Sequence, residues 1–509
     1  MLAVKSAYLY VLAMRNTTPF FQAFGPLLFG RAPKSPLAAV PGKIQSFSSL
    51  SELMSACGSF IPQTLLEPLS EGDHSRQRQY SLPVTFWAFL AQVLSPATSC
   101  REIVRRVQAW HASVDSGVEL SSETGAYCMA RAKVQEYTLA IIHRQLAERC
   151  ERAVPCHALW RGRSVKIVDG TTVSMPDTDT NQKTYPQPSS QKAGCGFPLM
   201  RLVGLFSLAS GALLDFAKDN LHVHESLLFR QLWKHLQKGD ILLADRGFCS
   251  YFALSSLLAQ GVDSLLRFNQ TRKTDLRHGR RLGSNDRLQI WRKPAIRPKD
   301  ISQEQFDNIP ATLTVRLVKF DIAEKGFRTR SVTVVTTLLD PKDFPLVDLA
   351  DLYLRRWGVE LRFREIKITL AMDVLRCLSP HMIHLELLMH MIAYNVVRAL
   401  MQEAADRHHV ELARISFKGT LDTLRHWSKL IGSRRGMPRK QAQLIDEMLR
   451  IIASDQVPDR PNRSEPRAKK RRPKNYQLIT RPRNKMGRLP HRNRPRKSPR
   501  SSSSRAALT

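Results

Sequence analysis

The sequence predicts an α/β protein with a helical region before the α/β core and a basic tail after it. From Ser164 onwards, short apolar and β-branched runs alternate with helical periodicity, which indicates a mixed α/β layer. Upstream, residues 80–110 and 121–150 show helical periodicity alone. After Val457 the chain consists mainly of Arg, Lys, Pro and Ser, and it lacks the apolar residues that a core requires.

The composition indicates a polyanionic partner. The chain has 509 residues, enough for several domains, and 43% of them are hydrophobic. Its formal net charge of +34 favours nucleic acid, since Lys and Arg neutralise phosphates. An anionic membrane surface is the weaker alternative, because neither terminus carries a long amphipathic basic helix. The sequence has no apolar run of membrane length, so we expect a soluble, intracellular protein with no membrane partner.

The eight cysteines predict neither a disulfide framework nor a zinc site. They are scattered and form no C-x-x-C pair, so we interpret them as reduced thiols. The N-terminal segment MLAVKSAYLYVLAMR is apolar but too short to span a bilayer. Because periodicity is poor before Phe47, we assign residues 1–75 to a variable or poorly ordered extension.

Residues 76–160 are predicted to form a helical region. An apolar stripe marks the first helical stretch, and a Ser-Ser-Glu-Thr segment at 121–124 favours a helix start. The stripe consists of Leu82, Phe86, Phe89, Leu90 and Val93. Two interpretations remain open, namely packing alone or binding of DNA ends.

The α/β core is predicted in two parts, 161–269 and 331–455, separated by a β-rich insertion at 270–330. Strand-like runs in the first part are SVKIVD (164–169), LMRLVGLFSL (199–208), GALLDFAKD (211–219), DILLAD (240–245) and DSLLRFN (263–269). The insertion contains RLQIW (287–291) and LTVRLVKF (313–320), and RSVTVVTTLL (330–339) returns to the core. Helical stretches follow at 346–375 and 381–405, and a disordered basic tail is predicted over 456–509.

Two acidic residues are expected to end apolar strands. Asp169 is followed by Gly-Thr-Thr, and Asp245 is followed by Arg246 and a glycine. Open α/β sheets place their sites at the carboxyl ends of strands, so both carboxylates would lie in a cleft. For either residue alone, an acid that starts a turn or caps a helix is the more ordinary interpretation.

One predicted helix face combines an aromatic hydroxyl, two cations and a carboxylate. Tyr353, Arg356, Glu360 and Lys367 fall within an arc of roughly 60° on a regular helix, with Glu365 on nearly the opposite face. Three carboxylates suit two divalent cations that promote in-line phosphoryl displacement. Hard oxygen ligands favour Mg²⁺ or Mn²⁺, and the neighbouring cations suit DNA phosphates.

The sequence resembles the insertion-sequence-four family of bacterial DDE transposases. The helix segment DLYLRRWGVELRFREIKITL matches the family signature Y-x2-R-x3-E-x6-K without a gap. Further similar segments are SSETGAYCMARAK (121–133), VDGTTVSMPDTDTNQKTYP (168–186), KAGCGFPLMRLVGLFSLASGALLD (192–215), LLADRGFCS (242–250) and IAYNVVR (392–398). The resemblance covers about 80–480.

The resemblance implies an RNase H-like core in which Asp169, Asp245 and Glu360 are catalytic and hold two Mg²⁺ or Mn²⁺ ions. It implies cut-and-paste transposition, in which water cleaves a strand and the freed 3′-hydroxyl attacks the second strand or target DNA. It also implies a homodimer on paired double-stranded ends. Tyr353, Arg356, Lys367 and Arg246 would contact DNA, and Trp291 is the candidate for stabilising a flipped base. A buried sheet position remains the alternative for Trp291.

Other acidic and histidine motifs have ordinary interpretations. Asp177 and Asp179 lie in a Pro-flanked loop, where a solvated turn is expected. His222, His224 and Glu225 follow a strand, where packing or strand capping is expected and a catalytic or metal role is the open alternative. The histidines of the late helix lack the H-E-x-x-H pattern, and the sequence contains no P-loop motif. Two rival functions remain: a metal-dependent endonuclease without strand transfer, and a catalytically silent DNA-binding protein derived from a transposase.

Overall fold

The computed structural model describes the central part of the chain. The described residues are 61, 63–66, 79–96, 98–114, 120–268, 277–298, 301–322, 331–432, 434, 437–458, 482 and 485. All of them belong to one compact unit, Ser46–Thr509. Most of the predicted extension 1–75 and of the tail 456–509 therefore lies outside the described residues.

In the described part of the chain, four α-helices precede the sheet. They are α1 (Leu82–Leu94), α2 (Cys100–Val114), α3 (Gly125–Ala132) and α4 (Glu136–Arg152). The helical periodicity at 80–110 corresponds to two helices, because the chain leaves the helical conformation at Ser95. Pro96 follows directly, and the residue before a proline is disfavoured in the helical conformation.

A nine-stranded sheet forms the centre of the fold. Its strands are β1 (Val165–Ser174), β2 (Leu199–Ser207), β3 (Leu213–Asn220), β4 (Ile241–Ala244), β5 (Asp263–Arg267), β6 (Arg280–Gly283), β7 (Asp286–Arg292), β8 (Thr312–Asp321) and β9 (Ser331–Thr336). The spatial order is β3-β2-β1-β4-β5-β9-β8-β7-β6. The mixed α/β class predicted from the sequence is confirmed.

Strand directions divide the sheet into three zones. The pairs β1–β2 and β2–β3 are antiparallel, and the second hairpin turns at Gly211, whose φ of 68° suits glycine. β1–β4 and β4–β5 are parallel; α6 (Glu225–Leu232) lies between β3 and β4 in the chain, and α7 (Tyr251–Ala259) lies between β4 and β5. Beyond β5, all the pairs are antiparallel.

The β-rich segment continues the central sheet. β8 pairs with both β7 and β9, and β9 pairs with β5. A short helix, α8 (Gln303–Asp307), lies between β7 and β8. The fully buried Arg316 of β8 makes two hydrogen bonds to Asp286 of β7, at 2.9 and 2.6 Å, inside this part of the sheet.

Helices dominate the end of the described chain. α9 (Leu346–Leu354) is followed by a 3₁₀ turn (Arg355–Trp357), α10 (Gly358–Arg364) and a π-helical turn (Glu365–Thr369). The regular helix expected over 346–375 is therefore wrong, because its hydrogen-bond pattern changes twice. Then come α11 (Pro380–His408), α12 (Phe417–Gly432) and α13 (Pro438–Ser454), and α5 (Asp179–Thr184) lies earlier, after β1.

Two apolar clusters cover the two faces of the sheet. Val165 and Ile167 of β1 belong to the larger cluster with α1, α4 and α11, whereas Val168 belongs to the smaller cluster with α6 and α7. This alternation follows from the two-residue period of a strand. α11 is buried around most of its circumference, which explains its lack of an amphipathic pattern. Within the described residues, no helix has the length and apolar character needed to cross a bilayer.

Candidate active site

Parallel strand pairing brings Asp169 and Asp245 side by side. The last paired positions of β1 and β4 are Val168 and Ala244, and each acidic residue comes directly after its partner in this pair. Neighbouring strands lie about 4.8 Å apart, so the two side chains start from adjacent backbone positions. The expectation that Asp169 ends its strand is wrong: β1 continues to Ser174, because its second half pairs with β2.

The Asp169 carboxyl lies in a partly desolvated, acidic environment. Burial raises its pKa to about 6, and the nearby carboxylates of Asp245 and Glu225 act in the same direction. The Gly170 backbone N–H, which donates to Asp169 Oδ1 at 2.8 Å, and the Arg356 guanidinium oppose this rise. A cation bound next to this carboxyl would stabilise its ionised form.

One carboxylate oxygen of Asp245 accepts no hydrogen bond from the residues that the structure describes. This atom, Oδ1, is buried, and Arg267 Nη1 lies 3.8 Å away. An ionised carboxylate has several acceptor positions, and a buried one left unsatisfied is costly. The Asp169–Asp245 pair therefore fits a hard cation, which takes carboxylate oxygens as ligands.

Glu225 is a third carboxylate near Asp169 that the sequence interpretation did not assign to the site. It begins α6, and its carboxylate lies 3.9 Å from Arg201 Nε. Gly170 leaves room for it, since a Cβ on Gly170 would lie 2.6 Å from Glu225 Cδ. Its position after a strand was visible in the sequence, but its proximity to β1 depends on how α6 packs on the sheet.

The four side chains of the family signature differ in how deeply they are buried. Tyr353 and Arg356 are only 1% and 5% exposed, Glu360 is exposed on α10, and Lys367 is half-buried. Burial raises the pKa of Tyr353 to about 12, with Asp245 adding to the rise and Arg356 opposing it. Tyr353 and Arg356 are thus buried beside the aspartates, which argues against stacking of the Tyr353 ring on a base.

Glu360 does not join the two aspartates in a preformed cluster. Among the described residues, no three His, Cys, Asp or Glu side chains are grouped closely enough to hold a metal ion. Carboxylates repel one another when no cation lies between them, and an exposed glutamate side chain is free to change rotamer. Glu365 lies elsewhere: its carboxylate is 3.8 Å from Arg362 and acts electrostatically on Tyr394 and Arg398 of α11.

Lys367 joins the π-helical turn to the strand that carries Asp169. Its Nζ donates to Thr172 O at 2.8 Å and to Thr171 Oγ1 at 3.2 Å. Burial lowers the pKa of Lys367, and Asp373 opposes this effect. Lys367 is therefore positioned beside the second half of β1.

The two remaining DNA-contact candidates differ in exposure. Arg246 is exposed in the turn after Asp245. Trp291 is only 7% exposed in β7, and its ring packs against Phe268 with centroids 6.1 Å apart. Trp291 therefore occupies a buried position in the sheet, as the alternative interpretation expected. In this conformation the Trp291 ring is not accessible to a DNA base.

The other motifs have structural partners. His224 caps α6 by accepting a hydrogen bond from the Ser226 backbone, and Asp177 accepts one from Gln182. On α11, His390 is buried and His384 is 2.6 Å from the Tyr185 hydroxyl.

Comparison of the chain with known proteins identifies a family of similar sequences. The model of the transposase DDE domain matches residues 160–396. The chain is 25% identical over 447 residues to the transposase InsG for insertion sequence element IS4 of Escherichia coli (strain K12), covering 85% of this chain and 96% of the relative. A cryo-EM structure of the piggyBac transposase synaptic complex with hairpin DNA aligns over 81% of this chain and 84% of that chain, with a TM-score of 0.42 and 11% identity.

The matched domain defines the chain as a DDE transposase, an enzyme that acts on DNA. Its similarity to InsG extends beyond that domain and covers nearly the whole relative. These similarities support the identification of the chain as a DDE transposase of the insertion-sequence-four family.

Proposed function

We propose that this transposase cleaves DNA at the ends of its own insertion sequence and joins the freed 3′ ends to target DNA, using Asp169, Asp245 and Glu360. The observation that carries the proposal is the register of β1 and β4, which sets Asp169 beside Asp245. The unused, buried Oδ1 of Asp245 supports a cation at this position.

The topology supports an RNase H-like core. The order β3-β2-β1-β4-β5 combines two antiparallel pairs with two parallel pairs, and helices connect the parallel strands. The residues 161–269 and 331–455 form this core in our proposal, and the segment 270–330, which contains β6, β7 and β8, is inserted between β5 and β9.

The proposed cofactor is a pair of Mg²⁺ ions, with Mn²⁺ as a substitute. Asp169, Asp245 and Glu360 would hold them, with Glu360 turning from its exposed position on α10. When bound, such ions supply positive charge that activates a nucleophile and stabilises a leaving oxygen in phosphoryl transfer.

The basic side chains around the aspartates would orient the DNA backbone. Arg356 provides a buried positive charge that acts on Asp169, and Arg267 lies 3.8 Å from Asp245. Lys367 beside β1 and the exposed Arg246 would contact phosphates, since Lys and Arg form charge-assisted hydrogen bonds with phosphate oxygens. Tyr353 would act from its buried position by holding Arg356, whose guanidinium lies 5.6 Å from the ring centroid.

The reaction consists of two displacements at phosphorus. Water attacks a phosphodiester at the element end, and the bond to the 3′ oxygen breaks to leave a free 3′-hydroxyl. That hydroxyl then attacks the second strand or target DNA, and a new phosphodiester replaces the one that is broken. The residues of the chain contribute orientation and charge complementarity to both steps.

DNA partners and assembly complete the proposal. The helical region 76–160 would bind the element ends, and the net charge of +34 provides general attraction to the duplex. Two copies of the chain would hold the paired ends, and the protein would act at the bacterial nucleoid. The basic tail 456–509 would add sequence-independent affinity.

The test uses purified full-length protein and a duplex that carries the terminal repeats of the element. We expect Mg²⁺-dependent cleavage at the repeat edge and joining of the 3′ end to target DNA. Asp245→Asn and Glu360→Gln should abolish both products, whereas Asp351→Asn, which changes an exposed acid on α9, should retain them.

Three outcomes would contradict parts of the proposal. Nicking that persists in Glu360→Gln would exclude Glu360 as a ligand. Cleavage without joining would identify an endonuclease. Tight binding of the correct ends with no cleavage by the wild type would identify a silent DNA-binding protein.

A further inference from the structure

Three cysteines and an arginine, none of them assigned to the proposed active site, line one cavity. The cavity has a volume of about 510 Å³, and its lining includes Cys100 of α2, Cys128 and Arg131 of α3, and Cys377 before α11. Their wide separation in the sequence concealed this cluster, since none of them forms a C-x-x-C pair. The proposed metal ligands are not part of the lining.

Arg131 provides a buried positive charge at the centre of this cluster. It is 7% exposed and donates to Cys377 Sγ at 3.3 Å and to Cys100 Sγ at 3.8 Å. Burial opposes its charge, yet its pKa is raised because Tyr127 and the three thiols lie close to it. A buried guanidinium is costly unless an anionic or strongly polar group compensates it.

Among the three thiols, Cys100 is the one whose surroundings stabilise the thiolate. A hydrogen bond donated by Cys128 is the main cause of the lowered pKa of Cys100, with burial opposing and Arg131 assisting. Gln92 Nε2 also donates to Cys100 Sγ, at 3.6 Å. Cys128 correspondingly keeps its proton, because its hydrogen bond to Cys100 raises its pKa.

The other titratable groups of the cavity do not compete for this role. Burial raises the pKa of Cys377, and the Glu386 carboxylate adds to the rise. Glu386 itself accepts hydrogen bonds from the backbone N–H groups of Arg376 and Cys377. Burial and Arg376 lower the pKa of His390 to about 3, so its imidazole stays neutral.

We propose that Cys100 is a modification site, a nucleophilic thiolate that reacts with soft electrophiles and with hydroperoxides, and that Cys128 is its resolving thiol. The convergence of Cys100, Cys128 and Arg131 at a solvent-reached cavity carries this proposal. Thiolates, not thiols, are the reactive species, and neighbouring cations favour them.

The oxidation is balanced with a hydroperoxide as the two-electron oxidant. The Cys100 thiolate attacks one peroxide oxygen, the O–O bond breaks, and a sulfenic acid forms as hydroxide or alkoxide leaves. The Cys128 thiol then attacks the Cys100 sulfur, an S–S bond forms, and the S–O bond breaks. The departing hydroxide takes the Cys128 proton as water. The resulting disulfide would join α2 to α3, within the helical region proposed to bind DNA ends.

The first experiment measures alkylation of the full-length protein by iodoacetamide, followed by mass spectrometry of each cysteine. We expect the Cys100 rate to stay nearly constant between pH 6 and 8, because the thiolate is already formed. An ordinary thiol accelerates by almost tenfold per pH unit in this range. At pH 6, Cys100 should react at least about tenfold faster than Cys156, which is exposed.

Two variants of Cys128 distinguish the effect of its hydrogen bond to Cys100 from the effect of its packing. Cys128→Ser retains a donor at this position, so the flat profile of Cys100 should persist. Cys128→Ala removes the donor, and the Cys100 profile should then rise with pH. A wild-type rate that climbs like that of an ordinary thiol, or identical profiles in the two variants, would overturn the assignment.

Hydrogen peroxide tests the resolving role. At stoichiometric peroxide, peptide mapping of the wild type should show a Cys100–Cys128 disulfide that dithiothreitol reverses. In Cys128→Ser, Cys100 should progress to sulfinic acid instead. Sulfinic acid at Cys100 in the wild type, with no Cys100–Cys128 disulfide, would exclude Cys128 as the resolving thiol.

Discussion

The Glu225 carboxylate fills the space that a side chain at Gly170 would need. An alanine Cβ at Gly170 would lie 2.6 Å from Glu225 Cδ and 2.7 Å from Oε1. Gly170 directly follows Asp169, and Glu225 begins α6, so the first turn of that helix packs closely on the strand that carries a proposed metal ligand. The absence of a side chain at Gly170 therefore has a steric reason.

Gly170→Ala should destabilise the protein through this contact. Displacing the flexible glutamate end should cost up to about 1 kcal/mol in the free energy of unfolding, at the low end for overpacked sites, because the carboxylate can move aside. Urea denaturation of Gly170→Ala, Glu225→Ala and the double variant measures the coupling. We expect Glu225→Ala to recover most of the loss. Additive effects within about 0.5 kcal/mol would show that the two residues do not clash.

Asp286→Ala should destabilise the β6–β9 half of the sheet strongly. Arg316 is fully buried, and besides its two bonds to Asp286 it donates to Phe344 O at 2.8 Å. Removing the carboxylate leaves a buried guanidinium without its counter-charge, which costs about 3–5 kcal/mol. In urea denaturation, the double variant Asp286→Leu/Arg316→Met should lose less stability than Asp286→Ala. A larger loss in the double variant would contradict the electrostatic explanation.

Stability should fall on acidification because His143 is buried as a neutral imidazole. Burial lowers its pKa from 6.5 to about 4, although Asp215 opposes the effect. The stabilising contribution is therefore complete above pH 6.5 and is lost as the pH falls towards 4, up to about 3 kcal/mol.

His143→Gln, which cannot titrate, should show a shallower decline of the free energy of unfolding between pH 7 and 5. The measurement is urea denaturation of both proteins across this range. Some slope should remain, since burial lowers the pKa of His390 to about 3 with the same sign. Equal slopes in the wild type and in His143→Gln would contradict a neutral His143 in the folded protein.

Divalent metal should raise the melting temperature if the two aspartates bind it. A ligand that binds only the folded state contributes about 1.4 kcal/mol when its concentration is about ten times Kd. Calorimetry with Mn²⁺ or Mg²⁺ should show the shift in the wild type and its reversal by EDTA. Asp169→Asn should lose the shift, and Asp351→Asn should keep it. An equal shift in Asp169→Asn would place the metal elsewhere.

Local sequence patterns predicted the strands well, because successive side chains of a strand alternate between the two faces of the sheet. The predicted run at 313–320 corresponds to β8 (Thr312–Asp321), and the run at 287–291 lies within β7 (Asp286–Arg292). The patterns failed where backbone geometry departs from regularity. A regular helix was expected across 346–375, but the structure has a 3₁₀ turn and a π-helical turn there, with Tyr353 and Arg356 buried and Glu360 exposed.

The sequence by itself determined the α/β class, the transposase family signature and the choice of Asp169, Asp245 and Glu360 as candidates. These depend on residue types and spacings along the chain. Only the tertiary structure decided that Asp169 and Asp245 are adjacent, that Glu225 lies near them, that Trp291 is buried, and that Cys100, Cys128 and Cys377 share a cavity. Such proximities arise from strand register and helix packing between distant segments, and local periodicity carries no information about them.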